Sequence, residues 1–221
     1  MSQECVLEMK NISKRFPGVV ALDNVSLHLQ YGEVLGLVGQ NGAGKTTLIK
    51  ILDGVYPRDA GEIVIEGHSE ELRHPSDAFK IGIRVIHQEL NVFDSLTVVE
   101  NIFAGEMISN GFLKRVNWKD MAAKTYEILQ ALNIEIHPKT LMSELNTAQK
   151  QLVEIAKAIW KKGKILVMDE PTSALGRNDI TILFNLIKRL KESGIAIIYI
   201  SHRLEEVFEV TDRVMVLRDG K

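Results

Sequence analysis

The sequence has little cysteine and no long apolar run. Cys5 is the single cysteine among 221 residues, so an internal disulfide is impossible, which favours a reducing compartment such as the cytoplasm. Residues 1–5 show no basic segment followed by an apolar one, so no signal peptide is evident. The longest apolar stretches, such as residues 195–200, have the length of a strand and are far too short to span a bilayer. Any role at a membrane is therefore expected to be that of a soluble partner.

The sequence also lacks an excess of charge of either sign. Lysine and arginine number 27 against 29 acidic residues, which gives a formal net charge of −2. No basic excess therefore indicates a surface for nucleic acid or for an acidic membrane. The composition, 45% hydrophobic and 25% charged, is that of an ordinary globular protein. The length suits one domain, or a domain with an inserted lobe.

Short apolar runs alternate with helical patterns at both ends of the chain. Val34–Val38, residues 165–168 and residues 195–200 are continuous apolar runs, which are typical of buried parallel strands. Strands that alternate with helices favour a mainly parallel sheet covered on both faces. The other predicted elements are strands at 6–12, 25–29, 62–65, 83–86 and 213–217, and helices at 46–52, 178–191 and 204–208.

The middle of the chain has a helical pattern. Apolar residues recur at helical spacing in residues 118–132, with Asn117 as a predicted N-cap, and further helices are predicted at 97–104 and 152–159. We therefore interpret residues 1–221 as one domain with an insertion. Its core is expected at about 1–90 and 161–221, and a helical subdomain at about 91–160.

A glycine-rich loop carries the strongest functional signal. Residues 39–46 fit the pattern G-x-x-x-x-G-K-[ST] between a predicted strand and a predicted helix, which disfavours an incidental glycine-rich turn. The glycines let successive N–H groups point at phosphate oxygens, and the helix N-terminus adds its positive dipole end. Lys45 can reach the β- and γ-phosphates, and the Thr46 hydroxyl can ligate Mg²⁺. The loop consists of Gly39, Gln40, Asn41, Gly42, Ala43, Gly44, Lys45 and Thr46.

Two acids follow another apolar run. Asp169 and Glu170 come directly after residues 165–168, which puts their carboxylates at the sheet edge where ligands bind in α/β folds. We expect Asp169 to hold Mg²⁺ through its water shell and Glu170 to polarise the attacking water. Acids at a strand end are common in isolation, and the phosphate loop elsewhere in the chain favours the functional interpretation.

Three further residues carry weaker signals. His202 and Gln88 each follow a predicted strand by two residues. An imidazole there can hydrogen-bond a γ-phosphate oxygen, and an amide can complete the shell of Mg²⁺ or water, but a lone histidine after a strand is more often a loop residue. Phe16 either stacks on adenine or packs in a core or hairpin, and the pattern leaves both open.

Together these residues resemble the ATP-binding domain of an ABC transporter, over nearly the whole chain. The resemblance assigns residues 39–46 to the Walker A loop, and Asp169 and Glu170 to Walker B, with Glu170 as the catalytic carboxylate. It assigns Phe16 to the adenine-stacking loop and His202 to the switch histidine. The fold it implies is α/β: a P-loop NTPase core with a mainly parallel sheet, an antiparallel β subdomain and an inserted helical subdomain.

The same resemblance implies ATP and Mg²⁺ as cofactors. It assigns Gln88 to the loop that touches the membrane subunit and adds Thr47 to the nucleotide-binding residues. The metal is expected beside Thr46, Gln88 and Asp169, with Asp169 acting through water. The residues implied in catalysis are Glu170, His202, Lys45 and Gln88.

Residues 86–90, 99–105 and 153–158 are similar to the sugar-import branch for ribose- and galactose-type monosaccharides. In that branch two ATP-binding domains are fused, and this chain resembles the N-terminal half. The branch implies membrane permease subunits, a second ATP-binding domain and, indirectly, a sugar-binding protein as partners, with no nucleic acid. It implies a peripheral location on the cytoplasmic face of the cell membrane. Two rivals stay open: a soluble ABC ATPase acting on nucleic acid or ribosomes, and a domain that holds ATP with little turnover.

Two departures from the family pattern concern the partner-facing motifs. The family signature, usually Leu-Ser-Gly-Gly-Gln, is matched here by Leu145-Asn146-Thr147-Ala148-Gln149, and Gly176 stands where an aspartate is usual. ABC domains work as head-to-tail sandwiches, so these departures affect the site completed by this signature and leave the chain's own Walker A site untouched.

The resemblance also predicts a docking face for the membrane subunits. Helix 97–104, together with Gln88 and the loop between them, is expected to face those subunits. Phe93 lies in that loop, and the alternative is that it packs inside the helical lobe.

Overall fold

The structure, a computed structural model, describes residues 4–88, 90–105, 107–110 and 115–221. Glu89, in the sugar-import segment 86–90, lies outside the described residues. The chain divides into two compact units. Unit 1 comprises the chain up to Ile86 with residues 163–171 and 187–221, and unit 2 comprises the described part of residues 87–162 with residues 172–186.

The chain begins with three consecutive strands, and strands and helices alternate from residue 165 onwards. The strands are β1 (Cys5–Phe16), β2 (Val19–Gln30), β3 (Val34–Val38), β4 (Ala60–Ile65), β5 (His68–Glu70), β6 (Ile83–Ile86), β7 (Ser109–Asn110), β8 (Arg115–Val116), β9 (Ile165–Asp169), β10 (Ala196–Ile200) and β11 (Arg213–Val216). The helices are α1 (Lys45–Leu52), α2 (Pro75–Lys80), α3 (Val98–Ile102), α4 (Trp118–Ala131), α5 (Thr147–Trp160), α6 (Arg177–Glu192) and α7 (Leu204–Val210). Of the helices in these described stretches, none has both the length and the apolarity needed to cross a bilayer.

Unit 1 contains an antiparallel sheet with the strand order β2-β1-β4-β5. Along β1 the residues Leu7, Met9 and Ile12 are buried, and Leu27 and Leu29 of β2 join them in one apolar cluster. This alternation of buried and exposed residues is the pattern of a sheet with one face on the core. The antiparallel sheet in the expected fold class is confirmed.

A second sheet in unit 1 is parallel throughout, with the strand order β11-β3-β10-β9-β6. All residues of β3 and β10 are buried, which explains their unbroken apolar sequences. Ile200 pairs with Leu37 on one side and with Asp169 on the other. Because these strands run in one direction, their carboxyl ends lie at one edge of the sheet, and the segments after β3, β9 and β10 leave from that edge.

Unit 2 is mainly helical in its described part. Helix α5 packs against α3 and α4, and each of the three begins at a polar N-cap. The predicted cap of α4 is confirmed, since Asn117 Oδ1 accepts a hydrogen bond from the Asp120 N–H at 3.2 Å. Helix α3 is shorter than predicted, because Thr97 is its cap and Gly105 has a φ of 83°, outside the helical region. The antiparallel pair β7 and β8, strand β5 and helix α2 were not predicted.

Candidate functional site

The glycine-rich loop after β3 is held against neighbouring backbone. A Cβ at Gly39 would lie 2.3 Å from the Leu217 carbonyl oxygen, and one at Gly44 would lie 2.7 Å from that of Ala21. Gly44 also has a φ of 108°, a region that glycine adopts readily. Ala43 accepts a hydrogen bond from the Gly220 N–H at 3.1 Å. The glycines at positions 39 and 44 are therefore required by close packing beneath the loop.

Lys45 brings a positive charge to this loop. It is the first residue of α1, its side chain is buried, and its Nζ donates to the carbonyl oxygens of Gly39 at 2.7 Å and Gln40 at 3.1 Å. Leu48 N–H makes a helical bond to Gly44 O at 2.9 Å, and the N–H groups before it belong to the open end of the helix. An ammonium, a helix N-terminus and a loop without acidic residues form a site suited to an anion such as phosphate. The Thr46 side chain is exposed on the first turn, and Thr47 is half-buried.

Asp169 and Glu170 occupy the end of β9. Asp169 is half-buried, and the Glu170 N–H donates to the Ile200 carbonyl oxygen at 3.0 Å, which continues the pairing with β10. Glu170 has a φ of 48°, in the left-handed region that glycine favours. The backbone at Glu170 is therefore held in a costly conformation by the strands around it.

His202 faces Glu170 across the ends of β10 and β9. The Nδ1 atom of His202 lies 3.1 Å from Oε1 of Glu170, and the imidazole is 59% exposed. A carboxylate can accept a proton from water, and an imidazole can hydrogen-bond an anionic oxygen. The structure thus brings together two of the residues that the sequence analysis singled out separately.

A buried carboxylate behind His202 was missed by the sequence analysis. Glu206, in the first turn of α7, is buried and accepts hydrogen bonds from Tyr199, Ser201 and Arg203. The i,i+3 spacing of Arg203 and Glu206 on a helix start, followed by the buried Val207, was the available signal. A glutamate among exposed acids of a short helix does not by itself indicate burial.

Phe16 lies at the end of β1, in the hairpin that leads to β2. Its ring is half-buried and meets Tyr56 edge-on, with the centroids 5.4 Å apart, and Lys14 Nζ lies 5.5 Å from the ring centroid. Lys14 in turn donates to Asp59 Oδ1 at 2.7 Å. Phe16 therefore packs in a hairpin with part of its ring accessible.

Gln88 and Phe93 belong to unit 2 and are both exposed. Gln88 follows β6 by two residues. The alternative that Phe93 packs inside the helical lobe is wrong, because its side chain is 56% exposed. Its backbone is nevertheless fixed, since Phe93 N–H donates to Oδ1 of the buried Asn101 at 2.8 Å and Asn101 Nδ2 donates to Phe93 O at 3.1 Å.

Two lysines of α5, and Lys161 directly after it, bind the segment of residues 91–104. Lys150 pairs with Asp94 at 2.6 Å. Lys157 Nζ donates to the Asn91 carbonyl oxygen at 3.2 Å, and Lys161 Nζ donates to that of Ala104 at 3.0 Å. These contacts attach both ends of the segment to α5 and to the residue that follows it.

The altered signature forms the start of α5. Asn146 Oδ1 accepts from Gln149 N–H at 2.8 Å, and Asn146 N–H donates to Gln149 Oε1 at 3.0 Å, which is a reciprocal capping box. Thr147 and Ala148 lie in the first turn. At Gly176 a Cβ would meet only Asp179 Oδ2 at 3.5 Å, so the backbone does not require glycine there.

Comparisons with known proteins find relatives over nearly the whole chain. The sequence model of a family described as ABC transporter matches residues 22–173. A xylose import ATP-binding protein of Thermoanaerobacter pseudethanolicus is 49% identical over 220 residues, which cover 99% of this chain and 43% of the relative. A ribose import ATP-binding protein of Clostridium perfringens is 50% identical over 216 residues, which cover 98% of this chain and 43% of the relative. The chain therefore spans less than half the length of these relatives.

A solved structure shares the fold. The ADP conformation of an ATP-binding cassette of an ABC transporter superposes with a TM-score of 0.87 at 30% identity, covering 98% of this chain and 89% of that one. The expected fold class is confirmed.

Proposed function

We propose that this chain, which belongs to the ABC transporter family, binds ATP with Mg²⁺ and hydrolyses it to energise the import of a monosaccharide such as ribose or galactose. One observation carries the proposal: the loop with Lys45, the pair Asp169–Glu170 and His202 follow three adjacent parallel strands at one sheet edge. Ligands of open α/β sheets bind at that edge. The choice of a monosaccharide rests on relatives named for ribose and xylose import.

The nucleotide would be held mainly by the loop. Lys45 Nζ donates hydrogen bonds to the carbonyl oxygens of Gly39 and Gln40. When nucleotide binds, the ammonium would leave these carbonyls and contact phosphate oxygens instead. Phe16 would stack on adenine with the accessible part of its ring, and Thr47 would line the phosphate site. Mg²⁺ supplies charge neutralisation between phosphates, and Thr46, Gln88 and Asp169, the last through water, are the residues with suitable oxygen ligands.

Hydrolysis would depend on Glu170 and His202. Glu170 accepts a proton as the water oxygen bonds to the γ-phosphorus and the bond to the bridging oxygen breaks. His202 donates to a γ-phosphate oxygen from the neighbouring strand end. Lys45 offsets the negative charge of the transferred group, and Gln88 helps to orient the water. Positioning and charge neutralisation dominate phosphoryl transfer, which suits these residue types.

The proposed partners are membrane permease subunits, a second ATP-binding domain and, indirectly, a sugar-binding protein. The exposed Phe93 and Gln88 of unit 2 fit a surface that meets the permease. The location that follows is the cytoplasmic face of the cell membrane, and the balanced charge gives no support to a nucleic-acid partner.

Reconstitution of the full-length protein with its permease and sugar-binding protein in liposomes tests the proposal. We expect ATP hydrolysis coupled to uptake of one labelled monosaccharide among ribose, galactose and xylose, and loss of both activities in Glu170→Gln. Hydrolysis stimulated by nucleic acid or ribosomes, with no sugar uptake, would favour the soluble rival. Binding of ATP without turnover in the complete assembly would favour a domain that only holds nucleotide.

A further inference from the structure

One buried carboxylate binds both chain neighbours of His202. The Ser201 hydroxyl donates to Glu206 Oε2 at 3.3 Å, and Arg203 Nη1 donates to Glu206 Oε1 at 3.0 Å. The Arg203 N–H also donates to Ser201 Oγ at 3.0 Å. The side chains on each side of His202 are thereby bound to one carboxylate, and the Ser201 hydroxyl links that carboxylate to the Arg203 N–H.

The carboxylate is itself anchored to the parallel sheet. The hydroxyl of Tyr199, a fully buried residue of β10, donates to Glu206 Oε2 at 3.2 Å. The side chain of Glu206 is only 10% exposed. A buried carboxylate is costly unless it is paired and hydrogen-bonded, and these partners on residues 199, 201 and 203 meet that need.

His202 lacks such an environment of its own. Its imidazole is 59% exposed and reaches Glu170 from a chain segment that follows β10. The backbone sets the direction of an exposed side chain, and here Glu206 constrains the backbone beside His202 through the Ser201 hydroxyl, which also accepts from the Arg203 N–H. We infer that Glu206 is a positioning residue for His202, and that it acts on hydrolysis only through the placement of that imidazole.

A purely structural role for Glu206 is the competing interpretation. An acid in the first turn of a helix stabilises the helix N-terminus. Glu205 occupies the same turn of α7, is exposed and has the same charge, so that effect does not require burial of Glu206 among three donors. Buried polar clusters of this kind are often less stable than apolar packing, which favours a role in geometry.

A double-mutant cycle in the full-length protein, assembled with its membrane partners, tests the inference, which rests on the proposed function. Glu206→Gln keeps the shape but replaces one acceptor oxygen by an amide that clashes with the donors. We expect kcat for ATP hydrolysis to fall roughly tenfold, since small misplacements of a catalytic group cost up to ~10²-fold. We expect the KM for ATP to stay within about twofold, because the phosphate loop is untouched. Glu209→Gln, an exposed acid on the same helix, is the matched control and should leave kcat unchanged.

The effect of Glu206→Gln on kcat, measured with and without His202, distinguishes a positioning role from a general loss of stability. In a His202→Ala background, Glu206→Gln should change the residual kcat by less than about twofold, because the two substitutions act on one element. A tenfold loss in both backgrounds would overturn the inference. If Glu206→Gln does not fold, Tyr199→Phe, which removes a single donor to Glu206, takes its place. Tyr199→Phe should lower kcat less than Glu206→Gln, and this loss should disappear in the His202→Ala background. Equal losses of kcat with and without His202 would contradict the inference. Absence of hydrolysis in the parent assembly would instead contradict the proposed function.

Discussion

Nδ1 of His202 lies 3.1 Å from Oε1 of Glu170, although the two residues are 32 positions apart and follow different strands. The contact arises because β9 and β10 are parallel neighbours whose pairing extends to Asp169 and Ile200. With Nδ1 turned to the carboxylate, the other ring nitrogen is the one available to a ligand. The alignment of the two strand ends thus brings these two side chains into contact.

Lys45→Ala should abolish most of the affinity for Mg-ATP while the fold survives. The ammonium is the positive side chain of the loop, and each charge-assisted hydrogen bond to phosphate is worth roughly 1.5–3 kcal/mol. We expect affinity to fall by about 10²-fold, measured by titration calorimetry. Lys50→Ala, at the other end of α1 beside Tyr56, is the control and should bind normally. Unchanged affinity in Lys45→Ala would mean that nucleotide binds elsewhere.

Glu170→Gln should bind ATP at least as well as the parent and stop turnover in the assembled transporter. The amide keeps the shape and loses the charge that polarises water, and general-base roles are typically worth ~10²-fold or more. Steady-state phosphate release gives the rate, with the exposed Glu205→Gln as the control for a neutralised acid. Hydrolysis above about a tenth of the parental rate would exclude Glu170 as the principal base.

A cysteine at position 93 should crosslink to the permease. Phe93 is exposed, and Asn101 fixes its backbone, so the position presents a defined point of contact. Short bifunctional reagents applied to Phe93→Cys in a cysteine-free background, followed by electrophoresis, would report the contact. Asn178→Cys, exposed at the start of α6, is the control. Crosslinks from position 178 and none from position 93 would refute the docking face.

The isolated chain should not form a tight ATP-bound homodimer, even as Glu170→Gln. Both nucleotides would meet a signature without the usual serine and glycines, and each lost charge-assisted hydrogen bond is worth roughly 1.5–3 kcal/mol. Light scattering at micromolar protein, with and without Mg-ATP, measures the assembly. A stable ATP-dependent dimer would show that this signature works unaltered.

Restoring the family residues should promote that dimer. Asn146→Ser preserves an N-cap for α5, whereas Ala148→Gly costs about 1 kcal/mol of helix stability and Thr147→Gly costs less, because threonine is itself a poor helix former. The triple variant should therefore dimerise more and melt earlier than the Glu170→Gln parent. If dimerisation does not increase, the deficit lies outside the signature, with Gly176 or with a requirement for the proposed second ATP-binding domain.

Glu100→Gln should reduce the amount by which the free energy of unfolding falls between neutral and acidic pH. Hydrogen bonds from the hydroxyl and then the N–H of Thr97 hold the pKa of Glu100 below its ordinary value of 4.5. Since the folded pKa is the lower one, the cap stabilises the fold above that ordinary value, and the contribution is lost as pH falls through the folded pKa. Denaturant titrations at neutral pH and at about pH 3 should show a smaller difference for Glu100→Gln than for the parent. The exposed Glu127→Gln should match the parent, and an unchanged difference in Glu100→Gln would contradict the assignment.

Much of the fold could be predicted because the buried strands are unbroken apolar runs. β3 and β6 have the predicted bounds, and β9 and β10 differ by one residue. The antiparallel strands were predicted too short, since β1 continues through Lys14 to Phe16 with a buried charge that breaks the apolar alternation. α2 was missed because its six residues are too few for a helical period.

The parts of the site that follow a fixed sequence pattern could be predicted. The parts that depend on which strands lie side by side could not. The loop of residues 39–46 has a fixed spacing, and Asp169–Glu170 follow an apolar strand directly. The contact between Glu170 and His202 needs the strand order of the sheet, and the enclosure of Glu206 needs Tyr199 from the strand before it. The one local signal, the i,i+3 spacing of Arg203 and Glu206, does not indicate that Glu206 is buried.

Because of the left-handed backbone at Glu170, laboratory selection for heat resistance would favour substitutions at this position that reduce activity. A non-glycine residue in that region costs about 1 kcal/mol, so glycine or asparagine would be rewarded at this position. Either replacement removes the carboxylate that faces His202. Heat-resistant variants recovered without an assay for turnover would therefore be enriched in inactive proteins, and libraries for this domain should keep position 170 fixed.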